Sequence, residues 1–211
     1  MEPPDTTCKA ADRDSHYRQR ILAAANRLLV NNGIDSVNMY QIAQEAGIGQ
    51  GTLYRRFSHL GEIYSELLRT SVEEFLKELE ALAGAASNSS SALSQLEDLI
   101  RLSLDYIDRN AELLLAISSM YAGKKTFAPL KHPVMVRLRN LLLACLNRAK
   151  ELGETREFDT LLTAHLLLSA LSPFQYLYHL DELGCSKKRI YDGICNLFID
   201  GLRAAPPSGQ A

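Results

Sequence analysis

Gln50, Thr52, Tyr54, Arg55 and Arg56 set an amide, a hydroxyl, a phenol and two guanidiniums along one short stretch of chain. These are the groups that donate to base edges and to phosphate oxygens in duplex DNA. They can do so only from the outer side of an element that fits the major groove, as an α-helix does. Other chemistries lack their residues. No nucleophile–base pair, metal cluster or phosphate loop is legible, so an enzyme is not expected. Cys8, Cys145, Cys185 and Cys195 form no CxxC pair and read as reduced, mostly buried thiols. His132, His165 and Cys145 lack ligand spacing, so neither a metal nor a cofactor is expected. The run Gly47-Ile48-Gly49-Gln50-Gly51 follows a helical pattern rather than a strand, which rejects a dinucleotide fingerprint.

The elements that must position those donors are short helices. Ile21, Leu22, Ala25, Leu28 and Leu29 share a helical face that stops at Asn31-Asn32-Gly33. Asn38 is placed as the N-cap of a second helix carrying Met39, Ile42, Ala43 and Ala46, and Gly47 ends it. Ile48 leads into a third helix, in which Leu53 and Phe57 are spaced i, i+4. Two short helices joined by a glycine turn, with a helix before them, describe a helix-turn-helix. Ile42, Ile48 and Leu53 would form its small core, leaving Gln50, Gly51, Thr52, Tyr54, Arg55 and Arg56 outward. Between Ser15 and His59, Arg18, Arg20, Arg27, Arg55 and Arg56 stand against Asp35 and Glu45, a local excess of positive charge in a chain of net charge −2. A basic end suits phosphate binding.

The run IAQEAGIGQGTLYRRF, with the preceding RQRILAAANRLLVNNGIDSVNMYQ, resembles the DNA-binding signature of TetR-type transcriptional regulators across about residues 18–66. The resemblance implies about nine helices, a homodimer and DNA binding controlled by a small effector. It puts Gln50, Gly51 and Thr52 against bases and nearby phosphates and Tyr54 on phosphate. Arg56 stands where a histidine or tyrosine is more usual. Asn38 would sit near the DNA backbone, with Tyr40 and Gln41 exposed beside it. Gly49 replaces a common serine or threonine cap, and Leu60 a phosphate-binding lysine; Arg55, Arg56 and the adjacent His59 are expected to offset that loss.

Beyond Leu60 the same helical period continues, and no segment alternates with period 2, so the fold is expected to be all-α. The expected organisation is a disordered tail over 1–14, the helix-turn-helix domain over 15–60, a helical effector-binding and dimerisation domain over 61–204, and a disordered tail over 205–211. Within the body, separate helices are expected over Leu93–Arg109 and Ala111–Ala122, and Pro133 opens another. Asp159 or Thr160 caps a segment running toward Leu183 with a kink at Pro173, and Ser186 caps the last helix, reaching Ala204. The helix around Leu161, Leu167, Leu168 and Leu171 is apolar on all sides. With Ile190, Ile194, Leu197 and Phe198 of the last helix it predicts a four-helix dimer interface. Two recognition helices about 34 Å apart would then reach successive major grooves of a pseudo-palindromic operator.

Aromatic and polar side chains gather at Tyr106, Met120, Tyr121, Phe127, Met135 and His165, and at Phe174, Gln175 and Tyr176. They are the candidates for a small-molecule pocket. Hydrophobic residues make up 46% of the 211, enough for a core, which excludes a wholly disordered chain. The opening lacks the pattern of a secretory signal, and Leu161–Leu171 is too short to span a bilayer, so a cytoplasmic protein without membrane attachment is expected. The expectation is a dimeric DNA-binding transcriptional regulator, a repressor released from its operator by a small, largely apolar or aromatic effector. The alternative is a helical dimeric interaction protein of the same fold that does not read DNA.

Overall fold

The structure, a computed structural model, describes residues 6–84, 91–121 and 131–204. Among these residues it forms nine α-helices. They are α1 (Thr6–Asn32), α2 (Met39–Glu45), α3 (Gln50–Tyr54), α4 (Leu60–Gly84), α5 (Ala92–Tyr121), α6 (Pro133–Glu151), α7 (Thr160–Ala170), α8 (Pro173–Leu177) and α9 (Lys187–Cys195). A single bridge between Thr155 and Arg203 is the β pairing described, so the fold is all-α as expected. The helices form two compact units, one of residues 1–70 with 116–122 and the other of residues 71–115 with 123–211. The division falls inside α4, after Thr70, and the end of α5 goes with the first unit.

In the first unit, the buried side chains include Ile21, Ala24 and Ala25 of α1, Ile42 and Ala43 of α2, Leu53 of α3, Phe57, and Ile63 and Tyr64 of α4. Ile48, expected in this core, is half-exposed. The chain turns sharply at Gly33 (φ +73°) and Gly47 (φ +61°), where a side chain would be strained. One expectation fails at the N-terminus: α1 starts at Thr6, not near Ser15. Lys9 to Asp14 contain no glycine or proline, so nothing interrupts a helix already nucleated downstream.

In the second unit, α4 to α9 enclose one apolar cluster that includes Leu76, Leu79, Leu96, Leu99, Leu142, Leu146, Leu167 and Ile194. Here α5 is continuous, against the expected break at Asn110, whose side-chain amide donates to the Tyr106 carbonyl one turn back. Glu154 closes the N-terminal end of α5, accepting from Ala92 N, Leu93 N and the Ser91 hydroxyl at 2.9–3.0 Å. Pro173 does not kink a long helix. Ser172 caps a new one by accepting from Gln175 N, and Pro173 takes its first turn, where no N–H is needed. The last helix also ends early: a turn of π-helix, Asn196–Asp200, follows α9.

Helix α7 is not buried all round. Leu167, Leu168 and Leu171 lie in the core of the chain itself, as do Ile190 and Ile194 of α9, so these five are not available to a partner. Phe198 is half-buried against the same core. Leu161, Leu162 and Leu166 on α7 and Leu197 after α9 are each more than half exposed. A helix at the edge of a bundle finds neighbours on one side only, so an all-apolar helix leaves its other side open.

Candidate nucleic-acid interface

The site begins at the N-terminus of α2. Asn38 and Gln41 form a reciprocal capping box: Gln41 N donates to Asn38 Oδ1 and Asn38 N donates to Gln41 Oε1, both at 3.0 Å. Both side chains are thus committed to the helix end rather than held out for a ligand. Tyr40 is exposed, and its hydroxyl accepts from Gln44 Nε2 at 2.6 Å. After the turn, Gly49 takes the N-cap place of α3 with no side-chain cap. Leu53 anchors α3 on its inner side with no exposed surface.

The outer side of α3 carries Gln50, Gly51, Tyr54 and Arg55, all exposed. A Cβ added at Gly51 would meet nothing within 4 Å, so the backbone there is open to close approach. Thr52 is half-exposed, its hydroxyl accepting from Arg55 Nη2 at 3.3 Å. These five residues therefore form one accessible surface of donors, as their spacing predicts.

Arg56 and His59 do not join it. The Arg56 side chain is 13% exposed and is folded back toward α1. Its Nε lies 2.9 Å from Asp14 Oδ1, its Nη1 donates to the Thr52 carbonyl at 2.9 Å, and its guanidinium carbon stands 4.5 Å from the Tyr17 ring centre. His59 is half-buried beside Gly61, where a Cβ would come within 3.0 Å of the imidazole Nδ1 and 3.3 Å of the Met120 Cβ. Three other arginines of the basic segment are also engaged. Arg20 donates to the Ala46 and Gly47 carbonyls, Arg27 pairs with Glu45 at 2.8 Å, and Arg18 stacks on Phe57 at 4.6 Å. They still contribute positive potential, though Arg20 and Arg27 already donate to oxygens of the protein itself. Sequence reasoning missed Asp14 and Tyr17. Their signal was present: Asp14, Tyr17 and Arg20 recur every third residue and share one face of α1.

On α4, burial pushes the Tyr64 phenol up from its ordinary range, with the Asp35 carboxylate adding to the effect. Its hydroxyl is buried with no hydrogen-bond partner among the described residues.

Residues 21–66 match the model of the "Bacterial regulatory proteins, tetR family". Over this segment the chain is similar to the tetR family. Two curated relatives, HTH-type transcriptional regulators of Staphylococcus aureus strains bovine RF122 / ET3-1 and USA300, are each 28% identical over 90 residues. That match covers 43% of this chain and 45% of each relative, so the chain spans less than half the length of the curated relatives it matches. The fold likeness extends much further than the tetR-family segment. Thermus thermophilus FadR, a TetR-family transcriptional repressor in complex with lauroyl-CoA, superposes with a TM-score of 0.64 at 20% identity, over 91% of this chain and 99% of that one. The Bacillus subtilis regulator FadR with stearoyl-CoA gives 0.59 at 18% identity, over 88% and 99%. The SmeT–triclosan complex gives 0.56 at 17%, over 93% and 97%. At these identities the likeness is one of fold.

Of the residues expected to line an effector pocket, Tyr106, Tyr176 and Met135 belong to or pack on one apolar cluster. Tyr106 is buried, stacked on Phe75 at 4.3 Å, its hydroxyl 3.3 Å from that of Ser71. Tyr176 is buried and donates to Asp108, which also pairs with Lys187 at 2.8 Å. Met135 packs on the core, and His165 is half-buried with Nε2 unpartnered. Phe174 and Gln175 are exposed, because the short α8 turns its first residues outward after Ser172. Met120 lies in the first unit. Phe127 and the Tyr121 side chain lie outside the described residues. The concavities among the described residues include two on the surface. One, of about 410 Å³, is lined by Arg101, Leu104, Asp105, Lys187, Lys188 and Tyr191; the other, of about 380 Å³, lies around Arg20, Arg27 and Gly47. Neither includes an expected effector residue.

Proposed function

We propose that this chain is a transcriptional regulator, not an enzyme, and that it grips duplex DNA through the outer side of α3. The single observation that carries the reading is the open donor surface of Gln50, Gly51, Thr52, Tyr54 and Arg55 on a helix set by a capped neighbour and a glycine turn. Tyr54 and Arg55 serve phosphate, and Gln50 and Thr52 reach base edges. Tyr40 stands at the border of the surface, where its hydroxyl and Gln44 can meet backbone. The family segment and the regulators it is shared with support the assignment.

A helix of five residues reads few base pairs, so the active form is a homodimer on a pseudo-palindromic operator. The exposed leucines 161, 162, 166 and 197 are the surface for that pairing, in place of the five side chains that the chain buries for itself. Release by a small, largely apolar or aromatic effector is supported by relatives of the same fold that hold acyl-CoA or triclosan. An effector that prefers the state in which the two α3 helices no longer match groove spacing shifts the population and frees the DNA, which makes the protein a repressor. The site of work is the cytoplasm; among the described residues no helix is long and apolar enough to cross a membrane.

Selection from random-sequence duplexes with the purified full chain tests the reading. Enrichment of a two-fold symmetric site is expected. Failure to enrich any sequence across a range of salt concentrations would instead favour a helical interaction protein that does not read DNA.

A further inference from the structure

A five-residue helix has too few internal hydrogen bonds to hold itself, so its direction is set by whatever grips its two ends. At the leading end, the grip is Arg20, whose Nη2 donates to the Ala46 and Gly47 carbonyls in the turn. At the trailing end, it is Arg56, whose Nη1 caps the Thr52 carbonyl at 2.9 Å. Both guanidiniums face the ring of Tyr17, Arg56 at 4.5 Å and Arg20 at 5.9 Å from its centre. Asp14 completes the trailing grip with its 2.9 Å ion pair to Arg56. Asp14, Tyr17 and Arg20 all precede residue 21, where the tetR-family segment begins.

We infer that Asp14, Tyr17 and Arg56 are positioning residues for DNA recognition: Tyr17 is the post, and Asp14 and Arg56 the latch, by which the first half of α1 fixes the attitude of α3. Arg56 is not a phosphate ligand. The inference rests on the proposed reading of α3 as the DNA-contacting helix and extends that reading to residues outside the family segment. A cation over an aromatic face and a partly buried ion pair each contribute modestly. Together they hold a side chain that has only 13% of its surface exposed.

The test measures affinity by fluorescence anisotropy for two duplexes, the selected operator and a scrambled one, across a salt series, far below each variant's melting midpoint. The variants are Arg56→Ala, Asp14→Asn, Tyr17→Leu and Tyr17→Phe, with Tyr54→Ala as the phosphate-contact control. Arg56→Ala and Tyr17→Leu should weaken operator binding roughly five- to thirtyfold while leaving scrambled DNA and its salt slope unchanged. Tyr17→Phe, which keeps the ring, should bind as wild type. Asp14→Asn should weaken operator binding alone but add nothing to Arg56→Ala, since the two act through one contact. Loss of affinity for both duplexes alike in Arg56→Ala, with a salt slope shallower by about 0.9, would make Arg56 a phosphate ligand and overturn the inference. Operator affinities equal to wild type in all four variants would overturn it too, by reducing the cluster to a stabilising role. If Arg56→Ala does not fold, the Tyr17 pair and Asp14→Asn decide the matter. If wild type binds no duplex, the regulator reading itself fails and takes this inference with it.

Discussion

Gly47→Ala tests how the turn before α3 is held. At φ +61°, an L-residue costs about 1–2 kcal/mol relative to glycine. A Cβ there would also stand 3.1 Å from Arg20 Nη2, the atom that donates to the Ala46 and Gly47 carbonyls. Displacing that guanidinium weakens charge-assisted hydrogen bonds and adds about 1 kcal/mol, for a total of about 2–3 kcal/mol. Gly33→Ala is the natural comparison. Its φ is +73°, but nothing lies within 4 Å of the added Cβ, so only the backbone cost of about 1–2 kcal/mol applies. Urea denaturation followed by far-UV circular dichroism reads both. In an Arg20→Ala background the two glycine variants should become equal, because the extra contact at Gly47 is gone. Operator binding should fall for Gly47→Ala and hold for Gly33→Ala below their midpoints. Equal losses for the two glycines in the wild-type background would refute the role given to Arg20.

Tyr54→Ala should weaken binding to every duplex with the salt slope unchanged, because a phenol carries no charge to displace counterions, whereas Gln50→Ala should blur discrimination at a few base pairs by about 1–3 kcal/mol each; uniform losses in both, measured by anisotropy, contradict the division of roles on α3. Leu166→Glu should yield folded monomers in sedimentation experiments, because this leucine is 53% exposed in the chain, while Leu168→Glu, at 3% exposed, should unfold it. The Lys187 ammonium and the Tyr176 hydroxyl hold the Asp108 carboxyl below its usual range. A carboxylate lowered on folding stabilises fully above its unfolded value of about 3.9 and loses that contribution as pH falls through the lower folded value. Wild type should therefore melt above Asp108→Asn at neutral pH, with the gap closing as the solution is acidified below about pH 4; a gap that is independent of pH points to lost packing instead.

Much of the fold was legible because its signals are local. Helical period, the caps at Asn38, Asp159 and Ser186, and the positive-φ glycines at 33, 47, 153 and 184 all act within a turn or two of chain. The exposed donors of α3 were legible for the same reason: Leu53 and Phe57 must face inward, which leaves Gln50, Tyr54 and Arg55 outside. Aromatic composition, by contrast, does not say which neighbours Tyr106 and Tyr176 meet; packing sets them beside Ser71 and Asp108.

Sequence by itself determined that the fold is helical, where the glycine turns fall and which side of α3 is bare. Tertiary structure alone decided which arginines are committed, because Asp14 and Arg56, Arg20 and Gly47, and Arg27 and Glu45 are brought together from distant parts of the chain. It also decided that Leu167 is core while Leu166 is surface, two neighbours on one uniformly apolar helix. A period or a cap is written in residues close in the chain, but the partner of a long charged side chain, and the covered side of an all-apolar helix, depend on what packing places beside them.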